Sequence, residues 1–140
     1  MSDYEKRTKR GFEIMKKMGF PQDKMLKQKE TYPDLYDLTV GHLFGDIWSR
    51  PHLSLRDREL ITLSSIITMA RPGAQSHFRS ATNSGISKEE IMELIIQVGA
   101  YAGWPVMTPA IMQYNQAMEE NAKEKKITKG KRRSGRKRTA

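Results

Sequence analysis

The segment ELITLSSIITMA, residues 59–70, constrains the fold more than any other. From Leu60 onward it is apolar or small nearly all round, so as a helix it has to be covered on most sides. Its β-branched residues would also permit a strand, but its length and charged cap favour a helix. Ser54 opens that helix, and Asp57, three residues on, offers a variant of the capping box and an acid suited to the first turn. Arg71-Pro72-Gly73 closes it.

The flanking sequence reads as further helices separated by clear stops. Residues 3–18 set Tyr4, Phe12, Met15 and Met18 among charges, an amphipathic helix ending at Gly19 and Pro21. Pro33 and Arg50-Pro51 bound a second helix from about Asp34 to Ile47, because the residue before proline avoids the α region. The stretch GAQSHFRSATNSGIS, 73–87, predicts a short helix stopped by Gly85, with His77, Phe78 and Ala81 on one stripe. Ser87 and Glu90 form a capping box, followed by Ile91, Leu94, Ile95 and Val98 at helical spacing. Gly103 and Pro105 end that helix, and a last one runs from about Met107 to Lys123. No alternating pattern with a hairpin turn appears, nor a repeat of fixed period. The fold class expected is all-α.

Charge divides the chain unequally. Of its 25 basic and 16 acidic residues, ten basic groups and one acid, Glu124, fall in positions 123–140. The net charge of +9 therefore belongs to the tail, and the body is neutral. This division predicts a globular domain over 1–122 and a basic tail over 123–140, without ordered structure because it has like charge and no apolar period. Such a tail suits nonspecific contact with a polyanion through counterion release. It has no aromatic residue for base stacking.

Cysteine is absent, which excludes disulfides, thiolate metal sites and thiol redox cycles. MSDYEKRTKR is charged from the start and has no apolar core region, so it does not read as a secretory signal. No run reaches the roughly 18 apolar residues of a membrane span. A cytoplasmic protein without membrane contact is the expectation.

Three histidines exist, His42, His52 and His77, and no pair has the short spacing of a helical metal site. What remains is a constellation. Trp48, Arg50 and His52 share the loop DIWSRPHLS, Glu59 lies on the apolar helix, and Tyr101 and Trp104 flank a helix end in YAGWP. A buried glutamate beside a histidine orients the imidazole for proton transfer. Arginine matches a substrate carboxylate because its fork binds both oxygens. On the residues alone, a histidine on an apolar stripe reads as a packed core side chain sooner than as a proton carrier. Glu59 as readily supports its helix start, and Trp48, Tyr101 and Trp104 read first as packing or interface residues.

The ordered set of motifs from Gly45 to Pro105 resembles the carboxymuconolactone decarboxylase family. A W-x-R-P loop comes first, then L-x-x-R-x-R-E, then H-x-x-x-A-x-x-x-G, then an S-x-E-E-I-x-E helix closed by YAG-x-P. The resemblance implies an alkylhydroperoxidase D-like multi-helix subunit with a central helical hairpin, assembled as a homotrimer or homohexamer. It implies conversion of γ-carboxymuconolactone to an oxoadipate enol-lactone and carbon dioxide, without metal or organic cofactor. His77 would be the acid and Glu59 its support. Arg50, with Arg71 or Arg79, would bind carboxylates, and Trp48, Tyr101 and Trp104 would wall the pocket. The related peroxidase branch carries Cys-x-x-Cys near Ala70 and Gly73, and this chain has neither thiol. Decarboxylase-type members commonly place a glutamate where Gly73 stands. Either Glu59 supplies the orienting carboxylate, or the parent chemistry is lost or changed here, the chain then being a non-catalytic or substrate-diverged oligomeric binding protein of the same family.

Overall fold

A computed structural model describes residues 1–137 of the chain, with side chains through Arg132. Helix α1 (Asp3–Lys17) starts at a capping box between Ser2 and Glu5 and stops at Gly19, whose φ of +81° suits glycine. Helix α2 (Gln22–Thr31) follows, where sequence reading expects no element. Its only buried residue is Met25, so it has no apolar stripe to announce it. Helix α3 (Pro33–Tyr36) has proline in its first turn and runs directly into a π-helical stretch, Asp37–Trp48. Four helices complete the order: α4 (Leu55–Thr68), α5 (Ala74–Asn83), α6 (Lys88–Ala102) and α7 (Met107–Lys137). One 3-10 turn, Trp104–Val106, links the last two. Among the described residues every element is helical, as the sequence predicts.

Two cores result. In the first, α1 lies along the π-helical stretch and buries Ile14, Met15, Met18, Val40, Phe44 and Trp48. Their backbones nearly touch: a Cβ on Gly11 would sit 1.7 Å from the Val40 carbonyl oxygen. Arg7 binds both Asp37 oxygens at 2.8 and 2.9 Å, and Arg10 Nε donates to the Gly45 carbonyl at 2.7 Å. In the second core, α4 to α7 bury Leu63, Ile67, Phe78, Ile91, Ile95 and Tyr114. Burial pushes the Tyr114 phenol up from its ordinary value, and Glu89 adds to the rise.

Two expectations need correction. Helix α4 buries only the stripe Glu59, Leu63 and Ile67, while Ile61 and Met69 are 52% and 58% exposed. Its neighbours α5 and α6 pack on one side of it, so this chain alone does not cover the rest. The basic tail is also helical through Lys137. Lysine, arginine and glutamate are good helix formers, and α7 is already nucleated upstream of them. Arg79 of α5 pairs with Glu120 and Glu124, which ties the first turn of the tail to the body. The absence of an apolar period argues against a separate core, not against continuing a helix. Residues 138–140 of the tail lie outside the described residues. Among the described residues no helix is long and apolar enough to cross a membrane.

The Ser87–Glu90 capping box is present as read from sequence. The Ser87 backbone N–H, with Arg56 in support, holds the Glu90 carboxyl below its ordinary value. A depressed carboxylate contributes stability above the ordinary carboxylate range and loses it as pH falls through the folded value. Ser87→Ala removes the Oγ that accepts from the Glu90 backbone N–H and should cost about 1 kcal/mol, the usual worth of an N-cap. Chemical denaturation checks it, and because the Ser87 N–H still reaches the Glu90 carboxylate, the cost should be similar at pH 7 and pH 3.

Candidate active site

Glu59 points into the molecule from the second turn of α4 and is 1% exposed. Its carboxylate has two partners, both on α5. Oε1 lies 2.6 Å from His77 Nδ1, and Oε2 accepts from Ser80 Oγ at 2.8 Å. His77 and Ser80 are three apart, so one face of α5 presents both groups to one carboxylate. Among the described residues no lysine or arginine pairs with Glu59. Its charge has therefore only the imidazole as a cationic partner, and a buried carboxylate without one is costly.

The imidazole is enclosed by aromatic rings. Trp48 stacks on it at 6.1 Å with 21° between planes, and Phe20 meets it edge-on at 6.4 Å. Phe44 closes the circuit, 5.8 Å from Phe20 and 5.3 Å from Trp48. These rings belong to or pack on the first core, while α4, which carries Glu59, gives Leu63 and Ile67 to the second, so the histidine sits at their seam. With Nδ1 tied to Glu59, Nε2 is the nitrogen left for a reactant. When protonated, Nε2 is a proton donor, and the carboxylate stabilises the charged ring.

Beside this pair lies a cavity of about 280 Å³. Met15, Met18 and Met25 give it apolar walls, Lys24 stands on it, and Phe20 and Ser80 border it. The last two are the side chains that touch His77 and Glu59. Sequence reading misses both. Ser80 was legible as the residue one turn beyond His77, whereas nothing local marks Phe20 as its neighbour.

The structure thus brings together His77, Glu59 and Trp48. It does not bring in the other named residues. Arg50 and Arg71 are exposed in turns, and neither lines the cavity. Their carbonyls are used structurally, by Arg58 and Gln113. Tyr101 and Trp104 are 87% and 69% exposed. The buried stripe of α6 is Ile91, Ile95 and Val98, and Tyr101 falls off it at the helix end. Arg79 lines the cavity, but its charge is already met by Glu120 and Glu124. The α4–α5 connection has left-handed residues at Ala70 (φ +50°) and Gly73 (φ +99°), so it turns sharply. No carboxylate stands at Gly73, and the one that meets His77 is Glu59.

Residues 33–126 match the family model described as "Carboxymuconolactone decarboxylase family". The chain belongs to this family. It is 28% identical over 88 residues to a 4-carboxymuconolactone decarboxylase of Acinetobacter baylyi, covering 62% of this chain and 66% of that protein. It is 34% identical over 77 residues to a nitrosuccinic acid decarboxylase of Metarhizium robertsii, covering 54% of each. An uncharacterized 15.0 kDa protein of Paracoccus denitrificans is 32% identical over 71 residues, 49% of this chain and 53% of its own length. The chain thus spans between about half and just under two thirds of these relatives. Two of the three carry decarboxylase names, so a decarboxylase family is the level at which function is shared. The matched family region holds Trp48, Glu59, His77 and Ser80, but not α1 or α2.

Proposed function

We propose that the chain is a cofactor-independent decarboxylase of a small carboxylated lactone, such as γ-carboxymuconolactone, or of an acid activated in a comparable way. One observation carries the reading: His77 is held by a buried carboxylate on one nitrogen and left with the other free inside an aromatic enclosure. The two named relatives add to it. A lactone carbonyl and a nitro group are both electron sinks, and each accepts the pair released when a nearby carboxylate leaves.

In the lactone case the bond from the ring carbon to its carboxylate breaks and carbon dioxide departs. The electron pair moves through the ring double bond onto the carbonyl oxygen, giving an extended enolate. Nε2 of His77 then gives its proton to the carbon next to the carbonyl, and a proton from water restores the imidazolium. The net change is one carboxylate and one proton converted to carbon dioxide and a C–H bond. Glu59 stabilises the charged imidazole, and Trp48 helps to keep water away from the enolate. Exposed apolar residues at the α6–α7 turn and on α7, among them Trp104 and Met112, support assembly with further copies of the chain, a trimer or hexamer.

Incubating the protein with γ-carboxymuconolactone or with nitrosuccinate and trapping the gas tests this. Carbon dioxide equimolar with product from at least one of the two is the expected result. No release from either above the uncatalysed rate would overturn it.

A further inference from the structure

We propose that the segment from Met15 to Gln28, which lies outside the matched family region, forms the substrate-selecting wall of this site. It would take a single-ring organic carboxylate, with Lys24 as the carboxylate's partner. The proposal rests on the decarboxylase reading for the reaction but not for the binding.

Three observations support it. The cavity of about 280 Å³ is closed on one side by the end of α1 and by α2, and on the other by the face of α5 that carries Ser76, Arg79 and Ser80. Pockets for small ligands run from about 300 to 1,000 Å³, so this one suits one ring better than two. Next, the cavity is coupled to the acid–base pair through two side chains. Phe20 borders the cavity and packs its edge against His77, and Ser80 borders it and hydrogen-bonds Glu59. His77 itself does not line the cavity, so a molecule seated there reaches Nε2 only when the Phe20 ring between them turns aside.

The third observation is charge. Arg79 and Lys24 are the cations on the cavity. Arg79 is held by Asn121, Glu120 and Glu124, whereas Lys24 has no acidic partner among the described residues. Around it the walls are thioether and aromatic, from Met15, Met18, Phe20 and Met25. A free ammonium at the edge of a polarisable apolar pocket matches an anion with an apolar body. Helix α2 carries no other buried residue than Met25. Met25 is also one of the cavity's walls.

Methionine-methyl NMR on the full chain tests the proposal without needing turnover. The probe is 5-oxotetrahydrofuran-2-carboxylate, a saturated lactone acid that lacks the ring double bond required for the reaction, with its methyl ester as the uncharged control. The acid should shift the methyl signals of Met15, Met18 and Met25 in one saturable titration and leave those of the exposed Met69 and Met112 unmoved. Lys24→Gln should weaken that binding about ten-fold or more, the worth of one charge-assisted hydrogen bond, and in a turnover assay should raise KM while sparing kcat. Shifts elsewhere, or equal binding of acid and ester, would overturn the proposal. Saturable binding at the three methionines with no turnover of any acid would sink the decarboxylase reading and leave the pocket assignment standing. Turnover unaffected by Lys24→Gln would do the reverse.

Discussion

Replacing His77 by asparagine should lower decarboxylation by about 10²–10⁴-fold, the usual worth of a positioned general acid. Alanine would be the simpler variant but the poorer test. It would leave Glu59, 1% exposed, with Ser80 as its only partner. Stranding a buried charge costs roughly 3–5 kcal/mol, enough to lower activity by unfolding the chain. The asparagine amide nitrogen can occupy the place of Nδ1 and donate to Glu59, and it has nothing at the place of Nε2. His77→Asn should therefore keep most of the stability and lose the chemistry. Thermal melting alongside steady-state kinetics separates the two effects. A folded His77→Asn protein with full turnover would show that Nε2 carries no proton in the reaction. His77→Ala should lose both activity and stability.

Gly11→Ala should destabilise the protein by about 3 kcal/mol or more, the upper range for overpacking. In an open helix the same change would be favourable by about 1 kcal/mol, because alanine is the better helix former. Here the added carbon would lie 1.7 Å from the Val40 carbonyl oxygen and 2.8 Å from the Gly45 nitrogen. Both are backbone atoms, which cannot swing away, so α1 and the π-helical stretch would have to separate. Phe20, in the turn that follows α1, and Trp48, at the end of the π-helical stretch, both reach His77, and the aromatic enclosure would loosen with them. Gly130, on α7 with nothing within 4 Å, is the matched control and should gain stability on the same change. Melting curves for the two variants should move in opposite directions. A Gly11→Ala melt at or above that of the parent would show that the close crossing does not hold.

Much of this was legible in the sequence wherever the signal is local. The Ser54 cap, the Ser87–Glu90 capping box, the left-handed glycines and the apolar stripe of α6 depend on residues within a few positions of each other. They mark the helices correctly, although Asp57 does not complete a box with Ser54. The Glu59–His77 contact spans 18 positions, but both residues sit on the inward stripes of consecutive helices that pack together. The resemblance also points to them. What sequence reading could not supply is geometry set by distant segments. Phe20 reaches His77 from 57 positions away, through a turn that has no pattern of its own. Tyr101 and Trp104 look like pocket walls because they are aromatic and near glycine and proline, yet α6 ends with them on the surface. Arg50 and Arg71 suggest carboxylate binding by type alone, and their positions in turns keep them off the cavity. For the tail, charge density suggests disorder, while the helix propensity of the same residues carries α7 through them.

On the proposed reading, His77 gives a proton to a substrate carbon after carbon dioxide leaves. Running the reaction on γ-carboxymuconolactone in deuterium oxide, with NMR of the enol-lactone product, reads that step directly. A fixed donor on one side of the ring should place one deuteron on the carbon next to the carbonyl, in a single configuration. The His77→Asn protein should give only the slow background reaction, with the deuteron in both configurations. A wild-type product with both configurations equally populated, or with no deuteron at that carbon, would contradict the claim.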